Sequence, residues 1–184
     1  MFSGYAGSGK SCAAILLCSL LGPAKTFVTA FADAVKDDVA DLYKLPRTMF
    51  DTQEGKASLV NTPDGEKTAR ELLIDYSLAM KEAYGEGVWA NEVVRRIRNE
   101  MKQRTIEHIV IHDWRYIAEI ETLEREFGSS STEFIIHTIR IQRSSVCSMP
   151  IPSEHNIDSY SVKHYISNNG SLDELKMAIS VLIP

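Results

Sequence analysis

Cysteine is scarce in this 184-residue chain: Cys12, Cys18 and Cys147 stand singly, with no C-x-x-C pair. That scarcity excludes a disulfide framework and a zinc–thiolate site and fits a reducing compartment. Positive charge is also in deficit, with 20 Lys and Arg against 25 Asp and Glu, a formal charge of −5. No global field gathers a nucleic-acid polymer or an anionic membrane, so any anionic ligand must be held by local groups. The apolar run Cys12–Leu21 is too short to cross a bilayer. The glycine-rich segment ahead of it has a better explanation than a signal peptide, and a cytoplasmic protein is expected. The five histidines show no metal-ligand spacing and receive no role.

Apolar residues are plentiful at 44%, and the length suits one domain spanning 1–184. Met1–Ser3 reads as a strand stub, followed by a loop and a helix to Leu21, where Gly22-Pro23 supplies a stop. A short strand is expected at Thr26–Thr29 and a helix at Asp33–Tyr43, then an irregular stretch from Lys44 to Asp64. Helical periodicity runs from Glu66 to Gly85 and again over Ala90–Arg104, whose arginines read as a solvated face. Strands are expected at Ile106–His112, Glu133–Ile141 and Val162–Ile166, with a helix at Ala118–Phe127. The tail holds a turn at Asn168–Gly170 and a capping box from Ser171 to Glu174. Strands alternating with helices imply an α/β fold with a parallel sheet.

The chemistry concentrates first at Gly4-x-x-x-x-Gly9-Lys10-Ser11, a phosphate-loop pattern set between a strand and a helix. Glycines let backbone N–H groups turn toward phosphate oxygens, and the helix N-terminus adds positive potential. The lysine offers a mobile charge for the β- and γ-phosphates, and the serine hydroxyl can ligate Mg²⁺. The expected contacts of ATP are Gly4, Gly7, Ser8, Gly9, Lys10, Ser11 and Cys12. No Asn-Lys-x-Asp for reading guanine is present, and the strand Ile109–Ile111 leads into a single acid, Asp113, rather than the acidic pair of a motor ATPase. Asp113 and Arg115 would sit at the carboxyl edge of the sheet, where open α/β folds bind ligands.

With these motifs in place, the chain resembles the phage and large-virus deoxynucleoside-monophosphate kinases, a branch of the P-loop nucleoside-monophosphate kinases. Phe31-Ala32-Asp33-Ala34-Val35-Lys36 looks like the segment whose lysine approaches the acceptor. Arg70-Glu71-Leu72-Leu73 resembles the arginine-bearing helix, and Trp89 a tryptophan after it. Asp113-Trp114-Arg115 with Glu119 resembles Asp-x-Arg-x-x-x-Glu, Arg140 and Arg143 fall at a short lid, and Asn169–Leu175 is similar to the closing turn and helix beside the adenine, which would include Gly170.

The resemblance implies a P-loop NTPase-type parallel sheet flanked by helices, with a helical acceptor-binding insertion near 33–104 and a lid near 140–153. It implies transfer of the ATP γ-phosphoryl group to a (deoxy)nucleoside monophosphate with Mg²⁺, in the host cytoplasm if the source is viral. Its partners would be ATP and a small phosphorylated acceptor, with neither membrane nor nucleic-acid polymer, and it leaves room for a homodimer. Lys10, Arg140, Arg143 and Asp113 would serve catalysis, Lys36, Arg70, Trp89, Asp113 and Arg115 the acceptor, and Ser11 the metal. Lys36 and Arg70 also read as surface charges, Asp113 as a helix cap, and Arg115–Glu119 as an i,i+4 pair. Three features depart from the family: the first strand is nearly missing, Ser77 stands where glycine is usual, and Trp114 replaces a smaller residue. Two other readings remain open, a P-loop kinase for another acceptor such as phosphomevalonate or dephospho-coenzyme A, and a nucleotide-binding module without turnover.

Overall fold

Strand and helix alternate along most of the chain in a computed structural model that describes residues 1–128, 134–148 and 152–183. The described elements begin with β1 (Phe2–Ser3), α1 (Lys10–Leu21), β2 (Thr26–Thr29), α2 (Phe31–Tyr43) and α3 (Gln53–Ala57). A hairpin of β3 (Leu59–Thr62) and β4 (Gly65–Thr68) leads into the long helices α4 (Ala69–Tyr84) and α5 (Val88–Gln103). The remainder is β5 (His108–Ile111), α6 (Ile117–Phe127), β6 (Ile139–Gln142), α7 (Pro152–His155), β7 (His164–Ser167) and α8 (Leu172–Ser180). Among the described residues no helix is long and apolar enough to cross a membrane.

Parallel pairing builds the centre of this α/β architecture. β2 lies beside β5, with Thr26 opposite His108 and Thr29 opposite Ile111. β1, β6 and β7 form a second parallel group in that order. The groups abut where the Trp114 N–H, just past β5, donates to the Phe2 carbonyl at 3.2 Å. Helices cover both faces. On one, Ala13 and Ala14 of α1 and Leu175 and Ile179 of α8 pack on Phe2, Val110, Ile139, Ile141 and Ile166. On the other, Ala90, Val93, Val94 and Ile97 of α5 meet Ile120, Leu123 and Phe127 of α6 around Trp114. A third cluster joins Val35 and Val39 of α2 to Phe50, Val60, Leu72 and Trp89, making a largely helical lobe between β2 and β5.

The parallel α/β arrangement agrees with the sequence pattern, while several boundaries move. The stretch to Asp64 contains α3 and β3, and helix α4 starts at Ala69 because Glu66–Thr68 belongs to β4. The hairpin turns at Pro63-Asp64, where the Thr62 hydroxyl donates to the Gly65 carbonyl at 2.7 Å and accepts from the Asp64 N–H at 3.3 Å. Thr68 then caps α4, its hydroxyl accepting from the Glu71 N–H at 3.2 Å while the Glu71 carboxylate accepts from the Thr68 N–H at 2.7 Å. β6 begins at Ile139, six residues after the expected start at Glu133, which lies outside the described residues. Its ladder is limited by its partners, since β1 matches only Ile139 and Arg140, and β7 matches only Ile139–Gln142.

Trp114 is fully buried, packs edge-on against Tyr160 with ring centroids 5.0 Å apart, and donates its indole N–H to the Tyr116 carbonyl at 2.8 Å. It therefore fills the junction between the two strand groups. Trp114→Ala should lower unfolding free energy by about 3–5 kcal/mol. Urea denaturation measures this, and a wild-type midpoint would remove Trp114 from its central packing role.

Candidate active site

The glycine-rich loop between β1 and α1 depends on backbone conformations that side chains rarely adopt. Gly4 has φ +136° and Gly9, at the N-cap of α1, has φ +103°. A Cβ on Gly4 would strike the Ile141 carbonyl, and one on Gly9 would strike the Asn168 side-chain amide. Asn168 also donates its amide to the Ser8 carbonyl at 2.8 Å, fastening the loop to the end of β7. The Ser8 hydroxyl is buried, with no hydrogen-bond partner among the described residues.

Lys10 is 8% exposed, and its ammonium donates to the carbonyls of Gly4 at 2.7 Å and Tyr5 at 2.8 Å. Burial, reinforced by the Arg115 charge and partly opposed by Glu154 and Asp113, lowers its pKa to about 8. Ser11 follows on the first turn of α1, its hydroxyl 3.5 Å from His112 Nδ1. That long contact leaves an oxygen available beside Lys10. One protein oxygen suits Mg²⁺, which keeps waters and binds substrate phosphates. Among the described residues no group of three or more His, Cys, Asp or Glu forms a dedicated metal cage. Cys12, next along the helix, is exposed.

A cleft of about 550 Å³ opens on the β6–β7 side of the loop. Tyr5, Ser8, Arg140, Gln142, Arg143, Ser144 and Asn169 line it. Arg140 stands in β6 rather than in a lid, bonded to the Asp158 carboxylate with its guanidinium 5.3 Å from the Tyr5 ring centre. Arg143 is exposed just beyond that strand, where its carbonyl accepts from the Val146 N–H at 3.0 Å. The expected lid thus resolves into β6, a turn at 143–146 and the start of α7, with 149–151 outside the described residues. Asn169 accepts from the Ser144 N–H at 2.7 Å and closes the far wall. Gly170 follows in the turn, where a Cβ would collide with the Glu174 carboxylate.

The opposite side of the loop faces the helical lobe. Asp113 accepts from the Phe31 N–H at 2.7 Å and the Ala32 N–H at 2.9 Å, so both of its oxygens hold the start of α2. Lys36, one turn further along α2, donates to Asp51 at 3.0 Å, and Arg70 of α4 donates to the Gln53 side-chain carbonyl at 2.6 Å. Partial burial pushes Asp51 up, but hydrogen bonds from Arg47 and Lys36 overcome it and hold the carboxyl below its usual range. Trp89 is instead buried in the lobe, its indole N–H donating to the Ser77 carbonyl at 3.4 Å.

Arg115 and Glu119 do not form an i,i+4 ion pair. Glu119 accepts from the backbone N–H groups of Arg115 at 2.9 Å and Tyr116 at 3.0 Å, while the Arg115 guanidinium donates to Glu154 at 3.0 Å. Burial dominates at Glu119 and raises its pKa to about 8 despite those two donors. Glu154 was not legible as a site residue. Its carboxylate is nearly inaccessible and accepts from the Ala6 N–H at 3.2 Å, joining the glycine loop to Arg115. Lys56 of α3 was missed as well: Lys36, Arg70 and Arg115 are all near enough to act on its charge. Only a short motif, Ser153-Glu154-His155 after Pro152, and a lone lysine in a loop marked these positions.

The structure therefore brings Lys10, Ser11, Asp113 and Arg115 together at the strand ends, with Arg140 and Arg143 on one flank and Lys36 and Arg70 on the other. No protein-family model matches the chain, and no curated protein matches it.

Because Lys10 sits near pKa 8, a bound polyphosphate should restore its proton. At pH 8 binding of ATP should take up about half a proton per site, and almost none at pH 6. Calorimetry in buffers of different ionisation enthalpy reads this directly. Buffer-independent heats at pH 8 would contradict the placement of Lys10 against the phosphates.

Proposed function

We propose that this chain is a P-loop kinase that transfers the γ-phosphoryl group of ATP to a (deoxy)nucleoside monophosphate. The observation that carries the reading is the surround of the glycine loop: Arg115 beside Lys10 at the strand ends, a cleft on one side lined by Arg140 and Arg143, and on the other side a lobe that bears Lys36 and Arg70. Two anionic substrates require such a two-sided arrangement. The donor would lie over the glycine loop with its base in the β6–β7 cleft, and the acceptor phosphate would enter from the α2–α4 side.

The nucleophile in this reaction is an acceptor phosphate oxygen that is already ionised, so no strong base is needed. It attacks the γ-phosphorus in line, a new P–O bond forms, and the bond to the β–γ bridging oxygen breaks to release ADP. Positioning and charge stabilisation supply the acceleration. Lys10 exchanges its loop carbonyls for β- and γ-phosphate oxygens, with Arg115 adjacent. Arg140 and Arg143 flank the donor, while Lys36 and Arg70 orient the acceptor. Asp113 acts through α2, keeping Lys36 in register with the loop. Ser11 is the protein ligand that Mg²⁺ would use, and the ion, when bound, neutralises phosphate charge.

ADP release by the purified protein should appear with at least one of the four deoxynucleoside monophosphates, and Lys10→Ala should reduce it by about 100-fold or more. Phosphomevalonate and dephospho-coenzyme A belong in the same panel. Turnover on either of those alone would replace the nucleotide acceptor, and tight ATP binding with no turnover on any compound would replace the kinase.

A further inference from the structure

Lys56 is a cation without a counter-ion. It is partly buried on α3, and its ammonium makes no hydrogen bond or ion pair within the described residues. Its surroundings are themselves cationic. Lys36, Arg70 and Arg115 reach its ammonium electrostatically, and Asp51 opposes them. Asp51 is already shared, accepting from Lys36 at 3.0 Å and from Arg47 at 2.7 Å. Arg115 is engaged by Glu154, whereas the partner of Arg70 is the neutral Gln53 amide. Burial first, and then the neighbouring cations, hold Lys56 below the ordinary lysine range.

The backbone presenting this group is fixed. Thr52 accepts through its hydroxyl from the Gly55 N–H at 3.0 Å and through its carbonyl from the Lys56 N–H at 3.2 Å. Gly55 lies so close to the Met49 carbonyl that a Cβ there would collide with it. The Gln53–Arg70 bond ties the same short segment to α4. Gln53 and Lys56 stand three apart on α3 and share a face, so Lys56 lies on the side that Arg70 meets through Gln53, while Lys36 reaches the same segment at Asp51; a cationic cluster of this kind is relieved when an anion enters it. A tetrahedral dianion satisfies several donors at once, which a neutral hydroxyl cannot do and a monoanionic carboxylate does less well.

We propose that Lys56, together with Arg70, binds the phosphomonoester dianion of the acceptor. The identity of that acceptor as a nucleotide rests on the kinase reading above; the anion site itself does not.

The test compares wild type with Lys56→Gln, Lys56→Met and Lys56→Arg, using inorganic phosphate and the four deoxynucleoside monophosphates as probes. For the preferred monophosphate, Lys56→Gln and Lys56→Met should raise acceptor KM by about tenfold or more. Their kcat should change far less, ATP affinity and melting temperature should be unchanged, and Lys56→Arg should recover most of the loss. Acylation of the Lys56 amine in the wild-type protein, followed by peptide mass spectrometry, should slow severalfold with inorganic phosphate or monophosphate present, while the exposed Lys102 should not respond. Wild-type acceptor KM in both neutral variants, with unprotected acylation, would overturn the role of Lys56 and leave the kinase standing. Phosphate protection of Lys56 without turnover of any monophosphate would keep the anion site and discard the nucleotide kinase. Absence of both turnover and protection would discard both.

Discussion

The carboxylate of Asp113 carries the first two N–H groups of α2, and the candidate site depends on that link. The residue before α2 is Ala30, which has no side-chain acceptor to cap the helix, so the cap arrives from a segment 82 positions later in the chain. The same contact aligns the end of β5 with the lobe. Lys36 rides on α2, and Asp33, on the first turn, accepts from the Ala30 N–H at 2.9 Å and engages Arg47 at 3.2 Å. Loss of the Asp113 link would free the lobe to shift against the glycine loop, carrying Lys36 with it.

The acidic balance of the chain has a local counterpart. Arg47 is surrounded by Asp33, Asp37 and Asp51, and Arg96 engages Asp37 and Glu92. Such exposed or half-exposed pairs contribute little stability singly. Their collective effect is orientation: carboxylates hold many of the basic side chains in place, while Arg70 and Lys56 are among those without acidic partners within bonding distance among the described residues. Net charge is therefore a poor guide to where this molecule meets anions. The distribution of paired and unpaired cations is a better one.

Much of the architecture was legible because its signals were local. The Gly9–Lys10 boundary, the Thr26–Thr29 strand, the Ser171–Glu174 capping box and the period of α4 and α5 all follow from nearest-neighbour chemistry. The hairpin was passed over although Pro63-Asp64-Gly65 is a turn signal, because its strands carry too few apolar residues to alternate clearly. At the site, the glycine-rich loop announced itself by pattern. Glu154 did not, since its contacts with Ala6 and Arg115 cross long sequence separations and a buried carboxylate on a backbone N–H has no sequence signature. Trp89 illustrates the reverse case: the resemblance gives it to the acceptor, yet tertiary packing places it in the core.

Two long-range contacts give the glycine loop an unusual assembly history. Beside the local bonds of the Lys10 ammonium to Gly4 and Tyr5, it is tied at Ala6 to Glu154, 148 positions away, and at Ser8 to Asn168, 160 positions away. Contacts of such separation close late, after the intervening chain has lost its freedom. The glycine loop is thus among the last segments to be fastened. A chain that lacks Glu154 and Asn168 carries the whole glycine loop without these two ties, so the loop takes its full set of contacts only when the segment through residue 168 has joined it.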